Sequence, residues 1–168
     1  MTTIERSDKL AGEKSWSRLM LSVLIALQAL QVAILWLHDW LPLRPLNDVV
    51  EAQAQDSRGR LIRVTVIQSL PFTVGLVASI VFARTGHPSW VWSWLWISYA
   101  ILFAGELRAW WWPYLVRPDP VRAARYRVMF GGTATFLPER NGMVPNALHT
   151  ILHAATAATL IVLAMAHR

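Results

Sequence analysis

Cysteine is absent from all 168 residues. That excludes a disulfide framework, a thiolate metal or iron–sulfur site and a thiol nucleophile. Charge is scarce too, at 15% of residues, where an ordinary soluble domain carries about 25%. Lysine is nearly missing: Lys9 and Lys14 are the only two among 16 basic residues, and the rest are Arg. No Gly-rich loop has nucleotide-binding spacing, and no serine motif supports nucleophilic catalysis. No cofactor is therefore expected. No internal repeat or low-complexity stretch divides the chain, which reads as a single domain.

What is present is apolar and aromatic. Apolar types make up 55% and ten residues are Trp. Mean hydropathy is +0.37. Trp concentrates at membrane interfaces. Net charge is +6, and in so apolar a chain an Arg excess points to anionic membrane lipids as partners rather than to nucleic acid.

Four stretches are long enough to cross a bilayer, which takes roughly 20 helical residues. They run from about Leu19 to Leu41, Leu61 to Ala83, Trp90 to Trp112 and Ala147 to Ala166. Each is continuous rather than alternating, so each is expected to be helical. The expected fold class is all-α: a polytopic membrane bundle of four transmembrane helices in one domain, residues 1–168. The polar tail from Met1 to Ser17 precedes the first span, which lacks the short apolar region of a cleaved signal. An even number of crossings puts Trp16, Trp90 and Trp92 at one interface, and Trp36, Trp40, Trp110, Trp111 and Trp112 at the other. Arg6, Lys9, Lys14, Arg18, Arg84 and Arg168 fall on the terminal side. Ten arginines fall on the other, which places the two long loops in the cytoplasm by the positive-inside rule, although the basic N-terminal tail argues the opposite way.

The last loop, residues 113–146, is too long for a plain turn. Asp119-Pro120 reads as an N-cap and first helical position, and Gly131-Gly132 as a stop. Val121, Ala124, Val128 and Met129 share one face, which fits a short interfacial helix over about 120–130. Asn141-Gly142 signals a turn, and Asn146 a cap for the fourth span. Arg122, Arg125 and Arg127 either bind anionic lipid generally or hold a phosphate by bidentate bonds.

Ionisable groups at membrane depth are costly and mark candidate sites. Glu106 lies six residues before Trp112, roughly 9 Å in from that helix end. His149 and His153 lie roughly 5 and 10 Å in from Asn146, on one helical face. Gln68 enters from the same side, and His38 and Asp39 close the first span there. Trp90 and Trp94 share a face, as do Trp92 and Trp96, so one pair can line an apolar cavity. The candidate catalytic residues are Glu106, His153 and His149. The candidate ligand-binding residues are Gln68, Arg122, Arg125, Arg127, Asn146 and Trp112. A Glu beside a His can move a proton, and two His with a carboxylate can ligate a metal. A structural pair between Glu106 and His149, or between Glu106 and an Arg, is the plain alternative. The fourth span, rich in Ala and Thr at Thr150, Ala154, Ala155, Thr156, Ala157, Ala158 and Thr159, is suited to close helix approach.

The run Tyr126-Arg127-Val128-Met129-Phe130-Gly131, with Thr133, Phe136-Leu137-Pro138, Gly142, Pro145-Asn146, His149 and His153, resembles a block in small bacterial four-helix membrane proteins of uncharacterised function. The Trp112-Pro113-Tyr114 step is similar to theirs as well. The resemblance covers roughly residues 105–160. It implies a multi-pass protein of the bacterial inner membrane and no activity. Likeness to the EXPERA group of sterol isomerases and sigma-2-type receptors is architectural only, and no residue role is carried over from it. Three functions follow as expectations. The first is a pocket that binds or converts a lipid-like or isoprenoid small molecule. The others are a small proton-coupled transporter working as a homodimer, and a non-enzymatic assembly subunit.

Overall fold

The computed structural model describes residues 3–166, with side chains from residue 15 onward. Arg168 lies outside the described residues, and the side chains of Arg6, Lys9 and Lys14 are likewise not described. Every regular element is helical: α1 (Thr3–Leu37), α2 (Val49–Ala54), α3 (Arg58–Val81), α4 (Ser89–Glu106), a π-helical turn (Leu107–Trp111), α5 (Trp112–Leu115), α6 (Pro120–Phe130) and α7 (Ala147–Ala166). Three segments are long and apolar enough to cross a membrane: Ser15–Leu37 within α1, Arg58–Val81 and Ala147–Ala166. The expected fourth, Trp90 to Trp112, is not among them. The regular α-helix there, Ser89–Glu106, gives way at once to the π turn Leu107–Trp111.

Four helices pack as a closed ring. α1 contacts α3 and α7, and α4 contacts the same two. The helices turn their apolar sides outward. Ile67, Ile80, Ile97, Ile101 and Ile161 are all more than half exposed, while Gln28, Gln31, Ser69, Thr156 and Thr159 are fully buried. An apolar exterior over an interior that mixes buried apolar side chains with polar ones suits a hydrocarbon surround. At Gly75 a Cβ would stand 2.9 Å from Leu95 Cδ2, so this glycine sets how closely α3 approaches α4.

Helix ends follow local chemistry. α1 starts well before Leu19, and the polar segment ahead of the first span is helical from Thr3 onward. The sequence there spaces Glu5, Lys9 and Glu13 four apart, a pattern that favours a helix. α1 stops at Leu37 rather than Leu41, because Pro42 disfavours helical backbone just ahead of it. The Asn47 amide then donates to the freed carbonyls of His38 (2.6 Å) and Leu41 (2.9 Å). α3 begins at Arg58, three residues early, where Ser57 Oγ accepts from Arg60 N. α2, not placed from the sequence, is capped by Asp48, with Glu51 three residues on completing the start signal.

The ring is closed at one end by two interlocked loops. Ala134 N donates to Pro45 O, and Asn146 Nδ2 to Leu46 O. α6 spans the expected residues and is capped by Asp119, whose Oδ1 accepts from Arg122 N at 3.0 Å. α6 packs on α2. Asn141 and Gly142, at φ 53° and 77°, form the two-residue turn their sequence signals. Arg140 and Met143 exchange both backbone hydrogen bonds across it. The Asn141 amide donates to the carbonyls of Pro113 and Tyr114 at the end of α5.

The π turn has a covalent cause. Pro113 has no N–H, so neither Ala109 O, four residues back, nor Arg108 O, five back, receives a backbone bond from it. Arg122 supplies the missing donor. Its Nη1 lies 2.8 Å from Ala109 O and 3.3 Å from Arg108 O, and its Nε pairs with Asp119 at 3.3 Å. Arg122→Met is therefore expected to destabilise the protein by about 1–3 kcal/mol, the cost of orphaned carbonyls. Thermal unfolding in detergent measures this. An unchanged midpoint would show that these carbonyls find other donors.

A polar cavity beneath the loop cap

The π turn sets the direction of Trp110, one of its own residues. Trp110 is swung inward and is only 8% exposed. Its ring stacks on His149 (centroids 4.6 Å apart, planes at 29°) and also meets Tyr126, Phe130 and His153. This corrects the expected aromatic belt: Trp112 points outward at 57% exposure, but Trp110 is a core residue of the cap. Burial among these rings pushes the Tyr126 hydroxyl above its usual range, while the nearby Arg122 and Arg125 act against that shift.

Beneath this cap lies a cavity of about 1540 Å³. Glu106, His149, His153, Gln68, His38 and Asp39 all line it. The polar residues expected from four separate spans thus converge on one space. Trp90 and Trp94 line it as the same-face pair, while Trp92 lines a different, smaller cavity at the other end of the bundle. Ile67, Ile97 and Ile101 line the large cavity and are also among the most exposed residues. The cavity therefore opens sideways between α3 and α4.

No family model, curated protein or solved structure matches this chain.

The carboxyl group is held by a hydrogen-bonded chain that crosses three helices. Glu106 Oε1 lies 2.8 Å from Thr156 Oγ1, which lies 3.1 Å from Gln31 Oε1. Gln31 Nε2 donates to Thr159 Oγ1 and to Leu27 O, each at 2.9 Å. Thr159 in turn donates to Ala155 O. Glu106 Oε2 is buried and, among the described residues, has no partner. The expected structural pair of Glu106 with His149 or an arginine does not form: Thr156 takes that place. From the sequence, Thr156 and Thr159 read only as residues suited to close helix approach. A Gln in mid-span facing two Thr one turn apart was the available signal.

Asn146 positions His149. It caps α7 by accepting from His149 N at 3.1 Å, and the same Oδ1 lies 3.2 Å from His149 Nδ1. It is buried and does not line the cavity. His38 Nδ1 donates to Ile34 O, with Nε2 3.3 Å from Asp39 Oδ1. His38 and His149 meet edge to face at 5.6 Å.

The arginines are spread apart. Arg122 and Arg125 line the loop end of the cavity, and Arg127 does not. Arg125 pairs with Asp56 at 2.7 Å, which also pairs with Arg60. Arg127 pairs with Glu139. Trp112 does not line the cavity either. Among the described residues no group of three His, Asp or Glu is placed to hold a metal ion.

Proposed function

We propose that this is a four-span integral membrane protein that binds a lipid-like or isoprenoid small molecule in the cavity beneath its loop cap. The helical run Ser89–Leu115 is the fourth crossing, and α6 lies at the interface above the cavity. The observation that carries the reading is the lining: Glu106, His149 and His153 on the inner wall of a space otherwise faced by Phe72, Ile97 and Ile101. Pockets for drug-sized ligands measure about 300–1,000 Å³, and this one, at about 1540 Å³, has room for a longer chain. A sideways opening between exposed isoleucines admits a molecule already dissolved in the bilayer. Glu106 and His153, which line the cavity without touching each other, are the groups that meet the ligand by hydrogen bonding or acid/base action, with His149 in support. Arg122 and Arg125 stand at the loop end, at headgroup level.

Gly105 offers a direct test. It lines the cavity, and a Cβ there meets nothing within 4 Å, so Gly105→Leu fills space without a clash. Organic extracts of the purified protein, read by mass spectrometry, are expected to contain a stoichiometric apolar molecule in the wild type and little of it in Gly105→Leu. Identical extracts from the two proteins would defeat the proposal.

A further inference from the structure

We infer that the occupant is a phospholipid-type amphiphile lying along α4, with its phosphate-bearing head beneath α6 at Arg125 and its chains running towards Trp94 and Trp90. This rests on the lipid-pocket reading above and follows from how the lining is ordered along the helix.

Across residues 90–110 a lining residue recurs every three or four positions. Such spacing keeps one helical face on the cavity throughout. At 1.5 Å per residue the stripe is roughly 30 Å long, about the thickness of a hydrocarbon core. α3 joins the lining only through residues 61–72, roughly 16 Å of helix. Further along, the two helices close up: Trp94 Nε1 donates to Pro71 O at 3.0 Å, and Gly75 lies against Leu95. Two helices thus wall the space at its loop end, and α4 alone carries it on to Trp90.

Polarity is ordered along the same axis. Asp56, Asp119, Arg122 and Arg125 line the loop end, and Glu106 comes next on α4. From there to Trp90 the stripe holds no ionisable side chain, and Ile101, Ile97 and Trp94 line it. A space that is ionic at one end and mainly apolar along the rest admits an amphiphile in one direction only. A plain hydrocarbon would leave the ionic end without a partner.

The ionic end also selects the charge of the head. Both oxygens of Asp56 are covered, Oδ1 by Arg60 at 2.9 Å and Oδ2 by Arg125 at 2.7 Å. Both oxygens of Asp119 are covered by Arg122, Oδ1 by its backbone nitrogen and Oδ2 by Nε. Asp39 has His38 against Oδ1. Arg125, in contrast, spends only Nη2, on Asp56. Its other guanidinium nitrogens have no partner among the described residues, and the side chain is 40% exposed where it lines the cavity. Unused charged donors beside satisfied carboxylates favour phosphate oxygens over a cationic head.

Two measurements on the detergent-solubilised full chain test this. The first is photolabelling with one equivalent of dipalmitoyl phosphatidylglycerol that carries a diazirine either at a chain end or beside a chain carboxyl carbon. Labelled peptides are read by mass spectrometry, and the labelling of Gly105→Leu is subtracted. The chain-end probe is expected to mark residues 89–97, and the other to mark the π turn and Pro120–Phe130. Chain-end labelling of α6 that equals that of the head-proximal probe overturns the orientation. The second compares the same phospholipid, unlabelled, with dipalmitoylglycerol, which keeps both chains and lacks the phosphate, by native mass spectrometry. Wild type is expected to bind the phospholipid about tenfold tighter or more. Arg125→Gln, in which Asp56 keeps Arg60, is expected to lose that advantage and to bind dipalmitoylglycerol as before. Equal binding of the two lipids by wild type, or an advantage that survives in Arg125→Gln, overturns the phosphate contact and leaves the pocket standing. So does loss of both lipids together in Arg125→Gln, which would mark a structural role. Identical labelling of wild type and Gly105→Leu, with neither lipid bound, overturns the inference and the pocket together.

Discussion

Trp110→Ala is expected to lower stability by about 3–5 kcal/mol, the range for removing a buried Trp from a packed core. The indole touches two rings of α6 (Tyr126 and Phe130) and two of α7 (His149 and His153) at once. Removing it leaves a void between the π turn, α6 and α7, and the neighbouring rings lose dispersion contacts on one side. Hydrogen exchange would rise along Pro120–Phe130 before it rises in α1 or α3, because α6 reaches the bundle through this cluster and its packing on α2. Trp110→Phe, which keeps a flat ring, should recover much of the loss. A Trp110→Ala variant within 1 kcal/mol of wild type by chemical unfolding in detergent would show that the cap does not depend on this ring.

Asn146→Ala is the second large effect, expected at about 2–4 kcal/mol. One side chain here makes four contacts: donation to Leu46 O and Thr133 Oγ1, and acceptance from the backbone and ring nitrogens of His149. A lost N-cap costs about 1 kcal/mol, and a buried carbonyl left without its donor costs about 1–3 kcal/mol. The Leu46 contact also ties the first long loop to the last, so the two should loosen together. The diagnostic readout is the His149 ring, by nitrogen NMR of labelled histidine. In wild type the proton sits on Nδ1; in Asn146→Ala both tautomers should appear. Asn146→Asp restores the cap acceptor but not the donor to Leu46 O, and should fall between. A single unchanged tautomer in Asn146→Ala would remove Asn146 from its positioning role.

Much of this molecule was legible in residue order. Apolar runs of span length located α1, α3 and α7, because a continuous apolar stretch has one low-energy form away from water, the helix. Asp119-Pro120 and Gly131 bounded α6 to the residue, since cap chemistry acts within a single turn. Spacing and depth placed Glu106, His149, His153 and Gln68 towards one leaflet, and the tertiary structure puts all four on one cavity. Helix α1 runs on through the polar segment ahead of the first span, because charges four apart support a helix as well as solvate a tail.

Residue order determined which groups sit at which depth, because rise per residue is a property of the backbone alone. Only the tertiary structure decided which of them meet. That Trp110 is core while Trp112 faces outward depends on a π turn, which arises where Pro113 withholds a donor and an arginine fourteen residues along the chain from Arg108 replaces it. That Glu106 bonds to Thr156 and not to a histidine depends on how α1, α4 and α7 rotate about their axes when Gln31, buried in mid-span, seeks partners. Rotation is set by pairing between segments far apart in the chain, and no local pattern encodes it.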